Sequence, residues 1–149
     1  MIKAGRDLRP TQMSLVLDSS ITMAWVYSDE TTAAVKEVFD LLSQGGGWVP
    51  GLWRLEVANV LQMGVRRKRH AADFRDATLA DLAQLPIQVD GETDQQTWGA
   101  TLHLATRHQL TLYDAAYLEL ALRRNLPVAT LDQDLRRAAV SEKVRLLGQ

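Results

Sequence analysis

Short apolar segments that alternate with longer helical segments constrain the fold of this 149-residue chain more than any other feature. The apolar segments are only a few residues long, and the segments between them repeat apolar residues at helical spacing. This alternation is typical of an α/β domain with a mostly parallel sheet. The predicted strands are 14–17, 48–50, 87–90, 127–131 and 144–147, and the predicted helices are 19–27, 30–44, 52–69, 71–85, 94–108, 112–125 and 133–140.

Composition excludes several classes of function. The chain has no cysteine, which rules out disulfides and thiolate metal sites and suits the reducing cytoplasm, where we expect the protein to act. No apolar run approaches the ~18 residues of a membrane span. The net charge of −1 argues against a broad basic face for nucleic acid. The first residues lack the apolar core of a secretory signal, so we predict a disordered or tag-derived lead-in over 1–12 and one domain over 13–149.

Two of the predicted strands end directly in an aspartate. Asp18 follows the run Leu15–Leu17, and Asp132 follows the segment 127–131. In an open parallel sheet, residues just beyond the carboxyl ends of the strands line the crevice that binds ligands. We therefore expect the two carboxylates to meet at one edge of the sheet. In the alternative reading, each aspartate caps the helix that follows it, a role shared with Ser19 or Ser20 in the first helix.

Two further acidic residues occur on predicted helices among uncharged neighbours. Glu56 lies inside the helix over 52–69, and the residues three and four positions away carry no charge. Asp114 opens the helix over 112–125, where its neighbours on the same face are Tyr117 and Leu118. An unpaired carboxylate in an apolar setting is costly, so each of these residues needs a partner. The alternative for Asp114 is an ordinary acidic residue that suits the helix dipole.

Four carboxylates brought to one place would repel one another and raise each other's pKa, so an ionised cluster needs a cation. Oxygen ligands without cysteine favour a hard cation, Mg²⁺ or, as a substitute, Mn²⁺. Such an ion can orient and deprotonate a water and stabilise the leaving oxygen in phosphodiester cleavage. The short polar residues expected to support this site are Ser20, Asn59 and Thr130.

Three segments of the chain resemble the PIN domain of VapC-type toxins. They are LVLDSS at 15–20, PGLWRLEVANVL at 50–61 and TLYDAAYLELALRRNLPVATLDQDLRRAA at 111–139. Their order and spacing extend the resemblance over essentially the whole chain from Ser14 to Leu147. The resemblance implies a PIN-like three-layer α/β/α sandwich around a mostly parallel sheet. It also implies a metal-dependent endoribonuclease that serves as the toxin of a toxin–antitoxin pair.

The resemblance also implies roles for the acidic residues. The acidic residues of the family map in order onto Asp18, Glu56, Asp114 and Asp132. Asp18 and Asp114 are expected to bind Mg²⁺ directly. Glu56 and Asp132 are expected to bind it through water, to orient the attacking water or to accept its proton. Cleavage should leave a 5′-phosphate and a 3′-hydroxyl. Asp134, two residues after Asp132, is an alternative for the fourth role.

The resemblance further implies partners: a homodimer, an RNA substrate, and a VapB-like antitoxin whose C-terminal segment lies across the active groove. The RNA target, the cleavage sequence and the number of metal ions stay open. One alternative is a non-catalytic interaction module whose carboxylates are structural, and another is a PIN nuclease that processes RNA without being a toxin. A third is a phosphatase with Asp18 as nucleophile, although its usual second aspartate is Ser20 here.

Several other residues invite a functional reading. The basic run Arg66–His70 and the arginine pairs at 123–124 and 136–137 could contact RNA phosphates, or they could end solvated helices. The histidines show no metal-ligand spacing and are predicted to be structural or surface residues. Phe74, Leu82 and Leu85 are predicted to form the inner face of the helix over 71–85. The tryptophans are predicted to pack in the core or in a dimer interface.

Overall fold

The computed structural model describes residues 13–149, and the predicted lead-in over 1–12 lies outside the described residues. The strands of this part are β1 (Leu15–Leu17), β2 (Gly47–Val49), β3 (Ile87–Val89), β4 (Val128–Ala129) and β5 (Leu146–Leu147). They form a five-stranded sheet in the order β3-β2-β1-β4-β5, and every pair is parallel. The predicted α/β class with a parallel sheet is confirmed.

Helices occupy the connections between the strands. Among the described residues, no helix is both long enough and apolar enough to cross a membrane. A short 3₁₀ turn forms at Ser28–Glu30, and a π-helical turn at Thr97–Thr101 joins the fifth helix to the sixth. The helices are α1 (Ser19–Val26), α2 (Ala33–Gly45), α3 (Leu52–Arg66), α4 (Ala72–Leu82), α5 (Thr93–Gln96), α6 (Leu102–His108), α7 (Leu112–Arg124) and α8 (Gln133–Ser141).

The central strands are buried on both faces of the sheet. Successive residues of a strand point to opposite faces, yet Leu15, Val16 and Leu17 are at most 1% exposed. Val128 and Ala129 of β4 are also completely buried. Helices therefore cover both faces, as parallel sheets require. This burial confirms the predicted three-layer arrangement.

Several helix boundaries differ from the sequence-based prediction. Asp18, not Ser19 or Ser20, occupies the N-cap position of α1. The helix predicted to begin at residue 30 begins at Ala33, because the Thr32 side chain caps it by accepting a hydrogen bond from Val35 N. The single helix predicted over 94–108 is divided by the π-helical turn.

Two aromatic side chains are exposed: Phe74, which was predicted to face inward, and Trp98, which was predicted to pack in the core or in a dimer interface. Phe74 is 41% exposed, because α4 packs at the edge of the molecule and contributes no fully buried residue. Trp98, in the π-helical turn, is 91% exposed, whereas Trp53 is buried. The prediction of core packing is therefore correct for Trp53 and wrong for Trp98. Packing of Trp98 in a dimer stays a prediction.

The register of the central strands places the ends of β1 and β4 side by side. Leu17 pairs with Ala129, so the next residues, Asp18 and Thr130, are neighbours. Asp18 N also donates a hydrogen bond to Ala129 O at 3.0 Å. The chain runs outward from β1 through β2 to β3 and then returns to β4 on the other side of β1. Ligands of open α/β sheets bind at such a switch point.

Candidate active site

Asp18 is a buried carboxylate at the end of β1, with only 4% of the residue exposed. Its side chain makes no capping hydrogen bond to α1, so the capping alternative does not apply to it. Instead, Asp18 Oδ2 accepts hydrogen bonds from Ser20 Oγ at 2.6 Å and from Thr130 Oγ1 at 2.7 Å. Burial raises the pKa of Asp18 above its ordinary value, and the two hydroxyl groups offset part of this rise.

The same two hydroxyl groups fix the loop that follows β4. Ser20 Oγ accepts a hydrogen bond from Leu131 N at 2.9 Å, and Thr130 Oγ1 accepts one from Asp132 N at 3.0 Å. Asp132 in turn caps α8, because its Oδ1 accepts a hydrogen bond from Leu135 N at 2.8 Å. The capping alternative is therefore correct for Asp132, whose second oxygen is not used by the cap.

Glu56 reaches the same edge of the sheet from the second turn of α3, which begins directly after β2. Its Oε1 accepts a hydrogen bond of 2.5 Å from the hydroxyl group of Tyr117, a completely buried residue of α7. Burial raises the pKa of Glu56, and the charges of Asp18 and Asp114 raise it further. Tyr117 could be recognised from the sequence only as an uncharged neighbour of Asp114, and its contact with Glu56 was not predicted.

Asp114 lies in the first turn of α7. The cap of this helix is Thr111, whose side chain accepts a hydrogen bond from Asp114 N at 3.1 Å. The Asp114 carboxylate is half-buried. Burial, followed by the charges of Asp132 and Asp18, raises the pKa of Asp114 to about 6. Burial and the neighbouring charges therefore disfavour the ionised form of Asp114 by more than the helix dipole favours it. The reading of Asp114 as an acidic residue placed only to suit the helix dipole does not fit this environment.

The four predicted acidic residues lie at one edge of the sheet, and each is within range of the charge of others. Asp132 raises the pKa of Asp18, and Asp18 raises the pKa of both Glu56 and Asp114. Within residues 13–149, no three acidic or histidine side chains lie close enough to enclose a metal ion by themselves. Like charges repel at short range, which opposes a tighter cluster. The structure thus brings the four together, and their roles as metal ligands stay a prediction.

Three of these carboxylates share one arrangement, in which the protein holds one oxygen and leaves the other available. The held atoms are Asp18 Oδ2, Glu56 Oε1 and Asp132 Oδ1. Asp18 Oδ1 has one long side-chain hydrogen bond, 3.5 Å from Ser19 Oγ. The second oxygens of Glu56 and Asp132 accept no hydrogen bond from residues 13–149. An oxygen of this kind can bind a hard cation directly or through one of its waters.

Two of the other predicted residues are less closely tied to this edge. Asn59 is exposed, and among the described residues it makes no hydrogen bond to the acidic groups, so its supporting role stays a prediction. The Asp134 side chain is 66% exposed and pairs with Arg137 at 2.9 Å. It raises the pKa of Asp114 less than Asp132 does. This comparison favours Asp132 over Asp134 for the fourth role.

A second ionic cluster holds the end of the outer strand β3 to α7. Arg123 forms ion pairs of 2.6 Å with Asp90 and 2.7 Å with Glu119, both nearly completely buried. Burial acts to raise the pKa of Asp90, but hydrogen bonds from Arg123, Thr93 and Arg124 outweigh it and hold that pKa well below its usual range. These two arginines therefore bind carboxylates of the protein, and the reading as RNA contacts is not favoured.

The basic run at 66–70 lies at the other end of α3. A helix rises 1.5 Å per residue, so Arg66 is about 15 Å from Glu56 along the helix axis. Arg69 pairs with Asp29 at 3.2 Å and stacks over the ring of Tyr27. The run is thus directed away from the acidic edge, which favours the reading as a solvated helix end.

A cavity of 340 Å³ adjoins the acidic edge. Its walls come from the first turn of α3, one turn before Glu56, from the start of α7, which carries Asp114, and from α5 and the π-helical turn. Tyr113, the residue before Asp114, is 64% exposed on this cavity. The full lining is Leu52, Thr93, Asp94, Thr97, Thr101, Leu112, Tyr113 and Ala116.

These features define a class of protein: a three-layer α/β domain with acidic residues gathered at the switch point of a parallel sheet. The family model of the PIN domain matches residues 15–141, and the chain belongs to the PIN domain family. No curated protein matches the sequence.

Solved structures show the same fold. A protein of Pyrobaculum aerophilum, PAE2754, is 19% identical with a TM-score of 0.60, and the match covers 85% of each chain. A toxin–antitoxin complex from Klebsiella pneumoniae is 17% identical with a TM-score of 0.57, and it covers 80% of this chain and 88% of that chain. The Mycobacterium tuberculosis toxin VapC20, described as cleaving the sarcin–ricin loop, is 17% identical with a TM-score of 0.58, and it covers 83% of this chain and 94% of that chain.

Proposed function

We propose that this protein is a divalent-metal-dependent endoribonuclease that acts as the toxin of a toxin–antitoxin pair. The observation that carries the proposal is the convergence of Asp18, Glu56, Asp114 and Asp132 from four separate elements, where neighbouring carboxylates raise the pKa of Asp18, Glu56 and Asp114. A fold gains nothing in stability from such repulsion, so the arrangement calls for a positive charge. Membership in the PIN family supports the same reading.

The side chains at this edge fit a hard divalent cation. They offer only carboxylate and hydroxyl oxygens, which suit Mg²⁺ or Mn²⁺. Asp18 and Asp114 would hold the ion directly, and Glu56 and Asp132 would hold it through water. When bound, the ion would supply a more acidic water and stabilisation of the leaving oxygen. Ser20 and Thr130 keep Asp18 oriented with hydrogen bonds to one of its oxygens.

Side chains of the protein would carry out the remaining steps of catalysis. Glu56 and Asp132 each have one oxygen available to orient a water or accept its proton, and cleavage would leave a 5′-phosphate and a 3′-hydroxyl. An unpaired base next to the scissile phosphate would have room in the 340 Å³ cavity, where the exposed ring of Tyr113 offers a stacking surface. This combination supports single-stranded RNA as substrate.

The structural neighbours support the choice of partners. One of them is a toxin–antitoxin complex and another is described as a toxin that cleaves the sarcin–ricin loop. We therefore propose a VapB-like antitoxin as inhibitor, a homodimer as the working form and the cytoplasm as its location. A PIN nuclease that processes RNA without an antitoxin would show the same cleavage and no growth arrest.

The test replaces Asp18 or Asp114 with asparagine and measures cleavage of RNA with Mg²⁺ together with growth arrest on expression. Asp18→Asn and Asp114→Asn should each lower cleavage at least about 100-fold, because both remove a charge that binds the ion. Asp40→Asn is the matched control, since Asp40 is an exposed residue of α2 outside the acidic edge. Wild-type rates of RNA cleavage in both Asp18→Asn and Asp114→Asn would refute the proposed nuclease activity.

The same preparation separates the nuclease from a non-catalytic interaction module. Calorimetric titration with Mn²⁺ should show binding to the wild-type protein and much weaker binding to Asp18→Asn. A protein that binds no Mn²⁺ would favour the interaction module, in which the carboxylates serve as structural groups. Sequencing of RNA ends after brief expression would then identify the target.

A further inference from the structure

We propose that Tyr117 is a positioning residue that holds Glu56 in its working orientation, an inference that rests on the proposed nuclease function. The Tyr117 hydroxyl group donates a hydrogen bond of 2.5 Å to Glu56 Oε1. The two residues are 61 positions apart in the chain, and the bond joins α7 to α3 at the acidic edge. No other hydrogen bond to the Glu56 carboxylate is made by residues 13–149.

Tyr117 is suited to this role because it cannot move easily. The residue is completely buried, so its ring is fixed by the packing of α7. A phenol hydroxyl group is protonated at neutral pH. The hydroxyl group of Tyr117 therefore donates its hydrogen bond to Glu56 Oε1, which leaves Oε2 to face a water or an ion.

Glu56 needs such a restraint. Its side chain has several rotatable bonds and is half-buried, and the charges of Asp18 and Asp114 repel it. Without the tyrosine hydroxyl group, the repelled carboxylate would turn toward solvent. Tyr117 also lies one helical turn after Asp114, so the first two turns of α7 would carry one acidic residue and orient another.

The experiment compares Tyr117→Phe with the wild-type protein, and repeats the change in the Glu56→Gln background. Phenylalanine keeps the buried ring and removes only the hydroxyl group. We expect kcat for RNA cleavage to fall about 10–100-fold, the loss typical of partners that orient metal ligands, with KM for RNA nearly unchanged. In the Glu56→Gln background the same change should cost nothing further, because the tyrosine acts through Glu56.

Tyr27→Phe is the matched control. Tyr27 is also buried, and its hydroxyl group makes a 2.9 Å hydrogen bond with His70 Nε2. Tyr27 follows the C-terminal end of α1, whereas Asp18 precedes the N-terminal end of that helix. Its loss should leave kcat and KM unchanged. A wild-type kcat in Tyr117→Phe would overturn the positioning role. So would an equal fold-loss of kcat from Tyr117→Phe in the wild-type and in the Glu56→Gln background.

A crystal structure of metal-free Tyr117→Phe provides a test that does not depend on activity. Glu56 should be displaced or poorly ordered in the variant and ordered in the wild-type protein. An ordered, unmoved Glu56 in the variant would refute the inference even if the enzyme is a nuclease. A wild-type protein that cleaves no RNA would refute the proposed function, while the comparison of Glu56 between the two structures would still decide the role of Tyr117.

Discussion

The surroundings of Asp114 disfavour its charged form, and a hydrogen bond with Thr111 offsets only part of this cost. Burial and the charges of Asp132 and Asp18 raise its pKa to about 6, so the metal-free protein holds a proton there in mild acid. A carboxylate must lose its proton before it binds a cation, so affinity for Mg²⁺ or Mn²⁺ should increase as the pH rises through about 6.

The first prediction concerns the stability of metal-free Asp114→Asn. In the wild-type protein the folded pKa is raised, so the contribution of Asp114 to stability is present in acid and is lost as the pH rises through about 6. Asparagine does not titrate, so the variant loses no stability at this position as the pH rises. At about pH 7.5 the variant should melt about 2–4 °C higher than the wild-type protein, on the order of 1 kcal/mol once solvent screening of a half-exposed group is considered.

Calorimetry over a pH series checks this expectation. The difference in melting temperature should shrink as the pH falls toward about 4, where the wild-type carboxyl group is protonated as well. A difference that stays constant with pH would show that the charge of Asp114 is not the cause.

Some of these residues could be predicted from the sequence and others could not. Asp18 and Asp132 were found because the pattern is local: an apolar strand ends at an aspartate. Tyr117 was missed because its contact with Glu56 spans 61 residues and its place on α7 looks like an ordinary apolar face. The exposure of Asn59 was missed because spacing on a helix does not reveal which neighbouring elements cover it.

Among the elements, α7 links the candidate site to the rest of the protein. Its first turn carries Asp114, its second turn carries Tyr117, and its last turn carries Arg123. Arg123 ties the helix to the end of β3 through Asp90 and to its own preceding turn through Glu119. The ionic cluster at one end of α7 therefore supports the position of the acidic residues at the other end.

The second prediction tests that support. Arg123→Met should lower the free energy of unfolding by about 3–5 kcal/mol, because it leaves the buried Asp90 and Glu119 carboxylates without their main partner. Arg137→Met is the control, since its exposed ion pair with Asp134 should contribute less than about 1 kcal/mol. Urea unfolding of both variants measures the difference. Equal losses in the two would refute the structural importance of the buried cluster.

Element type was easier to predict than element detail. The strands and most helices follow from apolar periodicity, which depends on neighbours in the sequence. The π-helical turn and the exposure of Trp98 do not, because both depend on how the segment over 93–108 packs against α7. The partners of Arg123 were not predictable either, since Asp90 lies 33 residues away in the chain.

At the scale of the whole molecule, the alternation of strands and helices predicted a parallel sheet but not the order of its strands. That order places β1 in the centre, with β2 and β4 on either side. It thereby sets the ends of β1 and β4 next to each other and creates the edge where the acidic residues gather.

The third prediction concerns the metal and the whole fold. Ions that bind only the folded state stabilise it, by about 2.7 kcal/mol at a concentration of 100 times Kd. Mn²⁺ should therefore raise the melting temperature of the wild-type protein at neutral pH by several degrees, and EDTA should reverse the change. Asp18→Asn should respond far less, and Asp40→Asn should respond like the wild-type protein. An equal rise in melting temperature in all three proteins would show that Mn²⁺ binds outside the acidic edge.

The hydrogen bond from Thr130 to Asp18 joins residues that are 112 positions apart. During synthesis Asp18 leaves the ribosome 112 residues before Thr130, so the early chain lacks the residues that complete the acidic edge. For a nuclease of the proposed kind, an unfinished polypeptide is therefore harmless to the messenger and ribosome that produce it. Under the proposed function, the fold would withhold RNA cleavage until the residues of both central strands have been synthesised.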